Sequence, residues 1–226
     1  MTERVPAELR LLRLLQLSSP ALPVGAFSYS QGLEAAVAAG LVKDAVSAER
    51  WIGDALACSV VRLDGPVLLR LCAAWAGGAD EDAAVWNSRF LASRESAELR
   101  AETAQMGYSL RRLLDSLTDA GRLNRLQEVA FPTAFAFAAA AWGVAASDAL
   151  TGYLWAWIES QVMTAVKVVP LGQTDGQRML LALSERAHAG AAVARSLDDD
   201  AIGAFLPQLA LLSAQHESQY SRLFRS

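Results

Sequence analysis

A single-domain, all-α bundle of roughly eight to ten helices is what this sequence predicts, and three observations predict it. Ala, Leu, Arg, Glu and Gln fill most segments, and these residue types favour helix. Apolar residues recur at three-, four- and seven-residue steps, the spacing of one helix face. Alternating runs rich in Val, Ile and Thr, the mark of strands, are almost absent. A chain of 226 residues and 24.1 kDa exposes roughly 10,000 Å² when folded and hides about 70% of its unfolded surface. That is enough for one sizeable core. With no fixed-period repeat and no low-complexity linker, residues 1–226 read as one domain.

The elements follow in order. Residues 8–17 place leucine at 9, 11, 12, 14, 15 and 17, a short helix with a broad apolar face. Residues 18–30, SSPALPVGAFSYS, break it with two prolines, a glycine and four serines. Helix resumes over 31–39 and stops at Gly40. Ser47 leads a capped helix through Val61, and Asp64-Gly65-Pro66 restarts the chain into 67–75, before a loop at 77–82. Residues 84–117 form the longest polar-faced segment, with Arg94 and Glu98 spaced to pair and Glu95, Glu98 and Glu102 reading as solvated. At about 1.5 Å per residue it would span roughly 50 Å, so a bend or break at Ser93 or Gly107 is expected. A helix then follows Pro132, and another covers 152–169 up to Pro170. A turn at 172–176, a helix over 177–194, three aspartates at 198–200 and a last helix up to Gln215 complete the domain. The remainder, 216–226 (HESQYSRLFRS), mixes polar, basic and aromatic residues and is expected to be a flexible tail.

Composition excludes several function classes. The net charge is −4 and charged residues make up only 19% of the chain, a poor basis for gripping a phosphate backbone, so no nucleic-acid partner is expected. Apolar residues reach 53%, leaving few charges to cover the outside, and some apolar surface is expected to meet a partner or a second copy. Cys58 and Cys72 lie fourteen apart with no CxxC spacing, so they read as small buried hydrophobes of a reducing compartment. No secretory pattern opens the chain, and the expected location is cytoplasmic. The uncharged stretch 129–147 approaches the length of a membrane span. Pro132, Gly143 and its alanine-rich make-up favour a buried central helix instead, and no membrane partner is expected.

The catalytic search is thin. Gly172 to Arg178 imitates a phosphate loop but lacks its lysine and flanking strand. GxGxxG, GxSxG and HExxH do not occur, and two histidines, His188 and His216, cannot build a His-rich metal site in one chain. No cofactor is expected. His216-Glu217 reads as part of a solvated tail, with a shared site in an oligomer as the alternative. Glu159 and Lys167, eight apart in LWAWIESQVMTAVKVV, share a helix face on an otherwise apolar element, so they must pair, line a cleft or meet an interface.

Four blocks are more specific: 18–34 (SSPALPVGAFSYSQGLE), 93–110 (SRESAELRAETAQMGYSL), 166–180 (VKVVPLGQTDGQRML) and 215–226 (QHESQYSRLFRS). In content and order they resemble the UreF family of urease accessory proteins over nearly the whole chain. The resemblance implies a non-enzymatic, all-α, homodimeric assembly factor that joins a UreD/UreH-type protein and the nickel-carrying GTPase UreG at apo-urease. That assembly serves nickel insertion and carbamylation of the site lysine. It further implies partner contacts at Tyr29, Glu34, Lys167, Gln173, Asp175, Tyr220, Arg222 and Phe224. Of these, Gln173 and Asp175 also suit helix-turn capping, and Arg222 also suits pairing with an acid such as Glu34. Two other classes stand beside this reading: an enzyme with a buried Glu159/Lys167 pair, and a membrane-embedded helical protein.

Overall fold

A computed structural model describes residues 5–217, 219 and 222–225. Among these residues ten α-helices follow one another: α1 (Ala7–Leu17), α2 (Leu33–Ala38), α3 (Ala45–Ala55), α4 (Gly65–Gly77), α5 (Asp80–Ala92), α6 (Ala97–Leu117), α7 (Phe131–Ala141), α8 (Ala146–Val168), α9 (Gln173–Ser196) and α10 (Pro207–His216). Among the described residues no strand forms, so the bundle is all-α as the sequence predicts.

The bundle is built around α7, which packs against α4, α6 and α8. Ala134, Phe135, Ala136, Ala138 and Ala139 are fully enclosed. Their small side chains let neighbouring helices close in, while Phe135 and Phe137 fill the gaps edge-on against Tyr153 and Trp75, with centroids 5.2 Å apart in each pair. Asn87 of α5 fastens the start of α7. Its Oδ1 accepts from Ala130 N (2.9 Å) and the Thr133 hydroxyl (2.8 Å), satisfying donors that a helix start leaves open.

Several boundaries differ from the sequence reading, while one of its two expected break points holds. Asp44, not Ser47, caps α3: its Oδ1 accepts from Ser47 N at 2.8 Å, and Ser47 Oγ accepts from Asp44 N at 3.1 Å. The chain does not restart at Asp64-Gly65-Pro66; a π-helical stretch, Leu56–Asp64, joins α3 directly to α4. Its carbonyls at Cys58 and Arg62 are taken by the backbone N–H of Phe205 and Gly203, both at 3.1 Å. The 84–117 segment breaks after Ser93, with Ser96 accepting from Leu99 N to cap α6, and α6 runs straight through Gly107. Finally, α8 starts at Ala146 rather than near Gly152, because Gly143 takes a left-handed φ of +74° and separates α7 from α8 within the uncharged run. Among the described residues no helix is long and apolar enough to cross a membrane.

Candidate functional site

The break at 18–30 lays an irregular segment across α8, and the chain returns to helix through Gln31 and Gly32, both left-handed (φ +49° and +79°). Glycine adopts this backbone freely; glutamine does so at a cost, which marks a position held by its side-chain contacts. Gln31 donates from Nε2 to Glu102 Oε1 at 2.6 Å and accepts from Trp157 Nε1 at 2.8 Å. It thus ties the irregular segment to α6 and α8. Gly32 faces the Leu209 carbonyl and Ser213 N of α10 at van der Waals distance from where a Cβ would stand. This close approach brings the end of α10 against α2 and α6.

At that junction His216 is fully enclosed between two carboxylates. Nδ1 lies 2.9 Å from Glu98 Oε2 and Nε2 lies 3.2 Å from Glu34 Oε2. The remaining valences hold the chain end. Glu34 accepts the backbone N–H of Leu223 (2.7 Å) and Phe224 (2.9 Å), and Glu98 Oε1 accepts from Arg222 Nη1 (2.8 Å). Arg225 N donates to the Ser28 carbonyl at 2.8 Å. Phe224 is buried, with Lys167 Nζ 5.8 Å from its ring centroid. Tyr29 is buried too. Burial first, then the nearby Glu102 charge, push its phenol up, against a hydrogen bond from Arg225.

Five of the residues singled out by the resemblance therefore gather in one place: Tyr29, Glu34, Lys167, Arg222 and Phe224. Gln173 and Asp175 do not join them; they open α9, where Asp175 accepts from Gly172 N at 3.3 Å and pairs with Arg178 at 3.3 Å. Tyr220 lies outside the described residues. The sequence assigns 216–226 to a flexible tail. Within it, His216 closes α10 rather than standing in solvent, and residues 222–225 lie along α2 and the Glu98 carboxylate.

Beneath this junction is a second polar group. Asp64, at the end of the π-helical stretch, accepts from the Tyr153 hydroxyl at 3.0 Å and lies 3.7 Å from Arg94 Nη1. Arg94 is enclosed with it and reaches Glu95 at 3.5 Å, not Glu98 as helical spacing suggests. Burial pushes the Asp64 carboxyl up and Arg94 opposes that, while Asp64 and Glu95 keep the guanidinium charged against burial. Glu98 and Glu102, read from sequence as solvated, are thus interior groups. Glu159 and Lys167 line a cleft to which Asp64 and Arg94 also contribute, and they make no ion pair with each other among the described residues; burial pushes Glu159 up. Sequence reasoning missed the His216 hub and the Asp64–Arg94 pair. A faint signal existed, an aspartate closing the apolar run VVRLD.

Catalytic chemistry finds little support here. Burial pushes the Cys72 thiol up to about 12, which leaves it without nucleophilic thiolate near neutral pH. Among the described residues no cluster of His, Cys, Asp and Glu is arranged to hold a metal ion.

A family profile described as UreF matches residues 42–184. The urease accessory protein UreF of Azoarcus sp. (strain BH72) is 54% identical over 226 residues, covering 96% of each chain. Those of Dechloromonas aromatica (strain RCB) and Janthinobacterium sp. (strain Marseille) are 50% and 53% identical, each over 224 residues, 96% of this chain and 98% of theirs. A profile match over more than half the chain, with such identity end to end, means that this chain belongs to the UreF family of urease accessory proteins.

Proposed function

We propose that this chain is a scaffold in urease maturation. With a UreD/UreH-type protein it recruits a UreG-type GTPase to apo-urease, where nickel is inserted and the carbamylated nickel site is assembled. It works as a cytoplasmic homodimer and catalyses nothing itself. The observation that supports this reading is the docked chain end. Glu34 and Glu98 spend their acceptor capacity on the backbone of 223–224 and on Arg222, and this leaves Leu223 displayed at 66% exposure. A segment that presents an arginine beside an exposed apolar group on a rigid base suits a partner contact, since arginine is enriched at interface hot spots. Tyr29 and Lys167 flank it.

The test is co-purification and urease activation with full-length protein, with Arg222→Ala, and with a chain lacking 220–226. Both altered proteins are expected to keep their helical content and to lose partner recruitment and activation. A folded truncation that still activates urease fully would overturn the proposal. Turnover of any substrate by the purified chain alone would favour the enzyme reading, with Glu159 and Lys167 as its first suspects.

A further inference from the structure

Between α6, α8 and the irregular segment after α1 lies a cleft of about 140 Å³, the size class that takes up one benzene-sized group. Leu22, Val24, Met106, Phe131 and the Trp157 ring line it. Phe27 and Met163 line it too and are 67% and 40% exposed, so apolar surface runs from the cleft out to solvent. The irregular wall is held in place. Ser160 Oγ donates to the Ala26 carbonyl at 3.4 Å, Trp157 Nε1 donates to Gln31 Oε1 at 2.8 Å, and Arg225 N donates to the Ser28 carbonyl at 2.8 Å. The slot is therefore preformed, which lowers the ordering cost of filling it.

The charges beside the slot come from α8. Glu159, Met163 and Lys167 follow one another along the cleft at four-residue steps. Two opposite charges thus stand roughly 12 Å apart along the helix axis, with the methionine between them. Among the described residues neither charge has an ion-pair partner; Lys167 Nζ meets the Phe224 ring at 5.8 Å. Burial pushes the Glu159 carboxyl up, a cost that a cation set against it offsets. A helix laid in the groove repeats its own residues at the same four-residue steps, and this is how amphipathic helices commonly fill such slots. We propose that the cleft receives an amphipathic helix of a partner protein, in which one large apolar residue has a basic residue four positions to one side and an acidic residue four positions to the other. The apolar residue enters the slot beside Met163, the basic residue meets Glu159, and the acidic residue meets Lys167. The assignment rests on the scaffold reading and gives it a second contact, separate from Arg222 and Leu223. The leucine face of a second copy's α1 does not match this pattern. Arg10 and Arg13 turn back onto the carbonyls of Val5 (2.8 Å) and Trp142 (2.7 Å), so the exposed leucines bring no cation to Glu159.

Three fluorescein-labelled, alanine-rich helical peptides test this against the full chain by anisotropy. The first carries Lys, Leu and Glu at four-residue steps, the second replaces its Leu by Ser, and the third replaces its Lys by Glu. The first is expected to bind saturably and at least tenfold more tightly than the other two. Glu159→Lys makes both ends of the slot cationic, so the third peptide should then bind more tightly than the first, with helical content unchanged. Arg222→Ala should bind the first peptide as the native chain does, so failure of the chain-end reading and failure of this one are read out separately. Absence of saturable binding, equal binding of all three peptides, or an unchanged order in Glu159→Lys would each overturn the assignment. A native dimer that Glu159→Lys splits into monomers in light scattering would give the cleft to a second copy and overturn it as well.

Discussion

Glu34 carries more of the architecture than its place in a short helix suggests. Its two oxygens accept from two backbone N–H groups and face the enclosed His216 ring. Glu34→Gln keeps the shape but removes the charge and one acceptor, leaving one of the two backbone donors, one exposed and one part-buried, without its partner. Such losses cost about 1–3 kcal/mol, so chemical denaturation should show a drop of that size, and docking of 222–225 should fail. Asp80 makes a different kind of contribution. It receives Arg122 Nε at 2.7 Å and Arg125 Nη1 at 3.1 Å, and the Arg122 hydrogen bond holds its carboxyl below the usual range. A carboxyl with a lowered folded-state pKa stabilises the fold above its unfolded value and loses that contribution as pH falls through the folded value. Asp80→Asn should therefore lower the melting temperature at pH 7, and the gap from the native chain should close in acid. A gap that stays constant down to pH 2 would mean that the pair contributes nothing through its charge.

At the scale of elements, the glycines separate what the sequence states from what only packing decides. Gly107 and Ser93 were equal candidates for breaking the long polar-faced segment, since both weaken helix. The break falls after Ser93, and Gly107 stays helical because a Cβ there would overlap the Val129 carbonyl oxygen in the chain leading into α7. Gly152 repeats the lesson: read as a helix start, it lies inside α8, where a Cβ would meet Ser18 Oγ at 2.5 Å and Leu14 Cδ1 at 2.6 Å. Periodicity gave the existence and order of the helices, because a buried face repeats locally. It could not give the π-helical junction or the His216 hub, whose partners lie 118 and 182 positions away. The glycine account has a sharp test. Gly107→Ala raises helix propensity yet should destabilise by about 1–3 kcal/mol through overpacking. Gly77→Ala, with nothing near its Cβ position, should stabilise by about 0.4–1 kcal/mol. If both substitutions stabilise, α6 and the chain before α7 are not in close contact.

For the molecule as a whole, the question is where its apolar excess goes. Sequence reasoning assigns it to the uncharged stretch and to Tyr153, Trp155 and Trp157 as dimer surface. In the structure α7 and Tyr153 are interior, Trp157 is spent on Gln31, and of these only Trp155 reaches solvent appreciably, at 39%. Among the exposed large apolar side chains, four share the eleven-residue helix α1: Leu9, Leu11, Leu12 and Leu15, at 40–62% exposure. The leucine face of α1 is thus the expected seam between two copies. Light scattering at micromolar concentration should give twice 24.1 kDa for the native chain. Leu11→Glu together with Leu12→Glu places charge on the exposed face without entering the core, so helical content should hold while the mass falls to that of a monomer. A charged variant that remains dimeric would move the seam off α1, and a native chain that is monomeric at that concentration would remove it altogether.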